Sequence, residues 1–233
     1  MSLASYAPVK RSMDVGLSAL ALPLLAVLLP IVAIAIKLES PGPVFYRHVR
    51  CGKAGRRFRM LKFRTMQVNA DRIGAAVTTA DDPRVTRVGR FLRKSKLDEL
   101  PQVWNVLVGD MSLVGPRPQS PHYIRHNYPD EQRRIILSIR PGITGPTQIW
   151  CRNEEEVLAA AEDPDAFYQH VLLPRKIASD VAYARRPTLL GDLRCLLLTL
   201  LVCLPLQPWK RHAATAEDVH ELEMAEPSAI PIQ

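Results

Sequence analysis

Asp98 and Glu99 are adjacent carboxylates that follow a run of cations, Arg90, Arg93, Lys94 and Lys96. Acidic side chains are favoured in a first helical turn, and Ser95 as an N-cap with Asp98 at N3 would account for the pair with no chemistry at all. A carboxylate kept ionised by cations and a helix N-terminus can also attack an electrophile or hold a divalent metal. Further cations suit such chemistry on a phosphorylated substrate. Lys62 and Arg64 flank Phe63, and Arg117 stands between Pro116 and Pro118, where a restrained backbone aims a planar fork of donors that matches phosphate oxygens. A solvated strand face for Lys62 and a structural ion pair for Arg117 are the plain alternatives. The segment Arg140-Pro141-Gly142-Ile143-Thr144-Gly145 could give donors to a pyrophosphate, although its spacing is neither that of a Walker loop nor that of a dinucleotide fingerprint. The six histidines show no metal-ligand spacing.

These residues must be positioned by the elements around them. Val15 to Ile36 contains no charged residue and is long enough as a helix to match a bilayer core of about 30 Å. No small-residue cleavage site follows, so a retained membrane segment is expected rather than a signal peptide. Lys10 and Arg11 precede it while Lys37, Arg47, Arg50 and Lys53 follow, which asks for the cytoplasm at both ends. Pro23 and Pro30 interrupt the run. A kinked, re-entrant hairpin satisfies both flanks; a plain spanning helix is the alternative.

Beyond this segment, Val44 to Val49 and Phe58 to Phe63 read as a β-hairpin around Cys51–Gly55. Asp71 to Pro83 reads as a loop, Val85 to Lys94 as a basic helix, and Leu97 to Val108 as a second helix ended by Gly109. Proline-rich loops follow around residues 115–118 and 140–146. Residues 154–184 have an amphipathic helical pattern, and Leu189 to Leu206 suits a helix lying in the membrane interface. The expected fold is α+β and mainly helical: an N-terminal membrane helix over 1–37, a cytosolic catalytic domain over 38–210 with a small hairpin and interfacial helices at the membrane face, and a tail over 211–233. That tail carries Glu217, Asp218, Glu221, Glu223 and Glu226 and is expected to lack fixed structure.

At 233 residues and 47% hydrophobic, the chain can bury a real core, which excludes wholesale disorder. Cys51, Cys151, Cys195 and Cys203 form no C-x-x-C pair, so a reducing compartment fits better than a disulfide framework. The net charge of +8 predicts an anionic partner, and the cations are concentrated: fifteen Lys or Arg against three Asp lie between Arg47 and Lys96, beside the membrane segment. Anionic membrane lipids are one expected partner. Nucleic acid is not expected, because the basic stretch abuts a membrane segment. A non-catalytic membrane adaptor that binds anionic lipid or nucleic acid is the reading from another class, and it would give salt-sensitive binding with no need for Asp98.

The segments Leu97-Asp98-Glu99-Leu100-Pro101-Gln102-Val103-Trp104-Asn105 and Gly109-Asp110-Met111-Ser112-Leu113-Val114-Gly115-Pro116-Arg117-Pro118 closely resemble the bacterial sugar transferase family, the monotopic phosphoglycosyl transferases. Ser40-Pro41-Gly42-Pro43-Val44-Phe45, Leu61-Lys62-Phe63-Arg64-Thr65-Met66 and Arg140 to Gly145 reinforce the resemblance, which covers Lys10 to about Leu200. It implies transfer of a sugar 1-phosphate from a nucleoside diphosphate sugar, usually a UDP-sugar, to a polyprenyl phosphate, the step that starts exopolysaccharide or glycoconjugate assembly. It also implies a bacterial inner-membrane location with the catalytic domain facing the cytoplasm.

In such an enzyme Asp98 would be the nucleophile that forms a covalent phosphosugar intermediate. Mg²⁺ would be held at Asp98 and Glu99, with Glu99 assisting. Lys62, Arg64, Arg93, Arg117 and Arg140 are the expected phosphate-binding residues. Gln102, Asn105, Gly115, Pro116, Pro118, Gly142, Thr144 and Gly145 are the expected substrate-binding loop positions. The sequence departs from the family pattern at two places: the family breaks its membrane helix at a Ser-Pro pair, whereas here Pro23 and Pro30 are each preceded by Leu and Ala26-Val27 stands at the pair's position, and Lys96 replaces the usual Ser or Thr. Which sugar is transferred and whether the chain oligomerises are not written in these motifs.

Overall fold

The computed structural model describes residues 3–70 and 82–203. The chain is mainly helical, with one long apolar N-terminal helix and two small sheets. Most of the expected 71–83 loop and all of the acidic tail lie outside the described residues.

Helix α1 spans Leu3–Glu39 and includes Pro8, Pro23 and Pro30. It passes the expected boundary at residue 37 by two residues. By length and composition it could cross a membrane, and little of its apolar window is buried: Leu20, Leu24, Val27, Ile31 and Ile34 are all exposed. Both of its ends are fastened to the same body. Near the N-terminus, Lys10 pairs with the buried Asp192 at 2.7 Å, and Tyr6 donates to the same carboxylate. Arg11 donates to the carbonyls of Val106 and Leu107, and Asp14 accepts the Leu113 N–H at 3.0 Å. At the other end, Ile36 joins Phe63 and Leu92 in a buried cluster, while the Glu39 carboxylate accepts the N–H groups of Arg87 and Val88. That carboxylate neutralises open donors at the start of a helix, where negative charge is favoured.

Strands β1 (Phe45–Cys51) and β2 (Arg57–Phe63) form the expected hairpin, antiparallel with Phe45 opposite Phe63 and Cys51 opposite Arg57. Its core face is built by Phe58 and Met60, which pack on Val106 and Met111. Helix α2 (Arg87–Ser95) is capped by Thr86, whose hydroxyl accepts the Gly89 N–H. Ser95 does not cap the next helix as expected. Its hydroxyl donates back to the carbonyls of Phe91 and Leu92 and so finishes α2. The expected helix over 97–108 is split into a 3₁₀ turn at Leu97–Glu99 and helix α3 (Gln102–Val108). Leu100 and Pro101 keep right-handed helical angles, but Pro101 has no N–H to donate to the Leu97 carbonyl, so the helical ladder breaks there. Gly109 closes α3 at positive φ, as expected.

The proline-rich segments are more than loops. β3 (Ser112–Val114) and β4 (Gly142–Thr144) pair in parallel. Their close approach requires two glycines: a Cβ on Gly142 would sit 2.1 Å from the Gly115 nitrogen, and one on Gly115 would sit 2.6 Å from the Arg140 carbonyl oxygen. Between and after these strands run α4 (Pro121–Asn127), α5 (Asp130–Ile136), α6 (Pro146–Trp150), α7 (Glu154–Ala160), α8 (Pro164–Phe167), α9 (Leu173–Arg185) and α10 (Leu189–Cys203). The pattern read across 154–184 is therefore interrupted, with a single π turn at Tyr168–Leu172 joining α8 to α9. Cys51, Ile124, Tyr128, Ile136, Leu173 and Ile177 form the core that seats α4, α5 and α9 against the hairpin.

Candidate active site

The 3₁₀ turn brings its two acids into different surroundings. It begins after Lys96, which adopts the left-handed conformation (φ 58°) and turns the chain sharply between α2 and Leu97. Asp98 is buried, with 7% of its surface exposed. Glu99 is the hub: its Oε1 accepts from Lys62 Nζ at 2.7 Å and from Arg117 at 2.9 Å. Lys62 Nζ also lies 3.7 Å from Asp98 Oδ2, so one ammonium serves both acids.

Three elements fix this geometry. Lys62 comes from β2, the dyad from the turn before α3, and Arg117 from the segment after β3. Asn105 joins the first two, because its Oδ1 accepts the Leu61 N–H and its Nδ2 donates to the Arg59 carbonyl, both at 2.9 Å. The edge of β2 is thereby clipped to α3. Pro116 and Pro118 restrain the backbone on either side of Arg117.

Charge separates the roles of the two carboxyls. Burial pushes the Glu99 carboxyl up, but the Arg117 and Lys62 charges outweigh it and hold the group well below the usual carboxylate range. Burial raises Asp98, with Lys62 pulling against it and the Glu99 charge adding to it. Glu99 is thus a permanently ionised partner for the cations. Asp98 is an acid in a drier place, with one ammonium at a distance and no hydrogen bond among the described residues that ties up its oxygens. The Asp98 carboxyl and the Glu99 oxygen that Lys62 and Arg117 do not engage are hard donors of the kind Mg²⁺ takes, one or two carboxylates together with water and substrate phosphates.

The other expected positions are distributed more widely. Arg64 does not join the cluster; its guanidinium donates to the carbonyls of Ser40 and Pro41 and to the Ser40 hydroxyl, holding the exit of α1 against β2. Its two terminal nitrogens are engaged there, while its Nε is buried with no hydrogen-bond partner among the described residues. Arg140 donates to the Gly109 carbonyl at the opposite end of α3 from the dyad. Arg93 lies on α2, where its charge acts on Asp82. Asn105 spends both polar groups on β2 as described, and Thr144 shares a 2.6 Å hydrogen bond with Thr199 of α10. Gly115 and Gly142 serve strand packing, and Gly145 precedes α6. Gln102, one turn after Asp98, is 1% exposed and its amide nitrogen has no partner among the described residues.

Arg50 was not expected at the site. Strand register explains its place: Arg50 faces Phe58, Tyr46 faces Lys62, and directly paired side chains share a face of the ribbon. Arg50 and Lys62 therefore point to the same side. The Cys51 N–H donates to the Gln119 carbonyl at 2.8 Å and docks this end of β1 beside Arg117. Period-two alternation from Lys62 through the hairpin would have found it.

Behind Arg117 lies a second buried polar group. Thr147 donates to Asp180 at 2.6 Å, and Lys176 pairs with Glu154 at 2.7 Å while sitting over the Tyr168 ring. Burial raises the Asp180 carboxyl to about 7, against the pull of the Thr147 hydrogen bond and the Lys176 and Arg117 charges. A folded-state value above the ordinary 3.8 means that the folded protein holds the proton more tightly. The resulting stability is full below the unfolded value and is lost as pH rises through about 7. The difference in melting temperature between wild type and Asp180→Asn should move in favour of the variant from pH 4 to 8. A difference that is flat with pH would contradict this environment for Asp180.

Sequence comparison gives this geometry its context. The chain matches the profile of a family described as bacterial sugar transferase over residues 5–205. It is 46% identical over 147 residues to a UDP-N-acetylgalactosamine-undecaprenyl-phosphate N-acetylgalactosaminephosphotransferase of Aeromonas hydrophila, covering 62% of this chain and 34% of that protein. It is 42% identical over 195 residues to a UDP-glucose:undecaprenyl-phosphate glucose-1-phosphate transferase of Caulobacter vibrioides, covering 82% of this chain and 68% of the relative. A third relative, the exopolysaccharide production protein ExoY of Sinorhizobium fredii, is 39% identical over 211 residues, 84% of this chain and 85% of that protein. The chain thus spans about a third of the Aeromonas protein and most of ExoY.

Proposed function

The chain belongs to the bacterial sugar transferase family, and from that premise we propose that it transfers a sugar 1-phosphate from a UDP-sugar to undecaprenyl phosphate through an aspartyl intermediate on Asp98. The observation that carries this reading is the division of labour in the dyad. Glu99 is neutralised by Lys62 and Arg117, while the adjacent Asp98 keeps its oxygens available beside a shared ammonium.

In the first half-reaction an Asp98 oxygen bonds to the sugar-bearing phosphorus as the bond from that phosphorus to the bridging oxygen breaks. The electron pair leaves on the nucleoside monophosphate. Lys62 and Arg117 face the charge spread over the phosphoryl oxygens, the main requirement of phosphoryl transfer. In the second half-reaction a lipid phosphate oxygen displaces Asp98 and regenerates the carboxylate. Asp98 and Glu99 are the residues that would hold Mg²⁺, which when bound supplies neutralisation of phosphate charge.

The lipid substrate requires a membrane face. Both ends of α1 rest on one body while its middle exposes Leu20, Leu24, Val27, Ile31 and Ile34, a pattern that suits a re-entrant helix entering and leaving from the cytoplasmic side. A helix of this length spans about 55 Å if straight, well above the hydrocarbon thickness. Leu190, Leu193, Leu197 and Leu200 on α10 expose a further apolar face, with Trp104 and Phe91 exposed on α3 and α2. These surfaces, close to the basic hairpin, suit the interface of the bacterial inner membrane and its anionic lipids.

One experiment tests both chemistry and orientation. Sealed inside-out membrane vesicles bearing the protein, given Mg²⁺ and a panel of UDP-sugars, should release UMP and load the lipid from at least one donor. Right-side-out vesicles should do neither. Release by neither preparation, with salt-dependent lipid binding alone, would favour the adaptor reading.

A further inference from the structure

Arg50 is a half-buried cation in an unfavourable place. Its Nε is buried and has no hydrogen-bond partner among the described residues. Beside it stands Arg117, a like charge, and the carboxylate that acts on it is Glu99, whose Oε1 is already held by Lys62 and Arg117. Burial, then the Arg117 charge, lowers the Arg50 guanidinium to about 10. Leaving a buried guanidinium N–H without a partner is costly, and an arriving anion can accept it. Arg50 is thus a third cation, with Lys62 and Arg117, around the two acids of the dyad.

The order of these groups limits which anion fits. Asp98 touches Lys62, Lys62 touches Glu99, and Glu99 touches Arg117. Arg50 stands opposite Phe58, four residues along the ribbon from Lys62, the residue that reaches Asp98, and beside it the Cys51 N–H donates to the Gln119 carbonyl two residues after Arg117. Arg50 thus closes the row at the end away from the nucleophile. In-line displacement sends the leaving group to the side opposite the attacking oxygen. The donor's second phosphate, the one that departs with the nucleoside, falls on that side.

We propose that Arg50, together with Arg117, binds the phosphate that leaves with the nucleoside, so that a charge stranded in the free enzyme becomes the partner of the negative charge developing on the leaving group. This rests on the transferase reading and names a residue of the same site. The guanidinium fork suits the task because it can give paired donors to phosphate oxygens, which an ammonium cannot.

The test compares the full-length protein with Arg50→Met and Arg50→Lys in detergent, measuring UMP affinity by calorimetry, melting temperature, and the KM for polyprenyl phosphate. Met removes the stranded charge at similar length, so its melting temperature should equal or exceed that of wild type. UMP affinity should fall at least tenfold in Arg50→Met and several-fold in Arg50→Lys, while the lipid KM stays within twofold. UMP affinity within twofold of wild type in both variants would overturn the proposal. So would a raised lipid KM with unchanged UMP affinity, which would assign Arg50 to the acceptor phosphate, or a clear drop in melting temperature in Arg50→Met, which would make it structural. Failure of wild type to release UMP from any donor would remove the transferase reading itself, whereas intact wild-type release with unchanged variants would remove only the assignment of Arg50.

Discussion

Under the proposed mechanism, replacing Asp98 by Asn should abolish turnover, with a fall of at least about 10⁴-fold in UMP release, because an amide cannot take the place of the proposed carboxylate nucleophile. The structure also predicts what the substitution leaves intact. Asp98 contacts Lys62 only at 3.7 Å, while the shorter bonds of Lys62 and Arg117 go to Glu99. Burial already disfavours the charged form of Asp98, so a neutral amide of the same shape costs the fold little. The variant should therefore match or exceed wild type in melting temperature and retain UMP affinity. Turnover within tenfold of wild type would exclude Asp98 as the nucleophile. A large drop in melting temperature would show that the acid is structural.

Glu99→Gln has the second largest expected effect, and it acts on both rate and stability. The substitution leaves Lys62 and Arg117 facing each other across a neutral amide, and removing one partner of a buried ion pair costs about 3–5 kcal/mol. Arg117 is 38% exposed at its side chain, so solvent screens part of that loss and about 2 kcal/mol is the fitting figure. For a chain of this size that lowers the melting temperature by roughly 4–8 °C. The rate should fall at least about 100-fold, because the two cations are no longer held in position for the phosphoryl oxygens. Measured side by side, Asp98→Asn should be inactive and stable, and Glu99→Gln impaired and unstable. Identical behaviour of the two variants would contradict the separate roles assigned to them.

Much of the arrangement can be read from local signals. The hairpin follows from two β-prone runs around a glycine-containing turn, Gly109 marks the end of α3, and the carboxylate pair stands out beside its cations. Pairings between distant segments are less legible. Strands β3 and β4 have three residues each, too few to show alternation, and they meet across 27 intervening residues. The break before α3 depends on Pro101, and the interruptions across 154–184 depend on packing around Phe167 and Leu172 rather than on periodicity.

Side-chain roles show the same division. Arg64 and Lys62 are two residues apart in a cationic segment, and only the fold shows that the terminal nitrogens of Arg64 hold the exit of α1 while Lys62 reaches the dyad. Asn105 lies in a motif beside the acids, yet its amide clips two elements together. Arg50 looks like one more positive flank of a membrane segment until the register with β2 places it on the face of Lys62. Type and spacing thus identify which residues can do chemistry, and long-range contacts decide which of them are free to do it.

The most direct test of the central claim is the intact mass of the protein after incubation with its UDP-sugar and Mg²⁺ in the absence of lipid acceptor. Wild type should gain the mass of one sugar phosphate, lose it when polyprenyl phosphate is added, and show no gain in Asp98→Asn. Turnover with lipid present and no adduct at any time in its absence, or an adduct that persists in Asp98→Asn, would contradict the aspartyl intermediate.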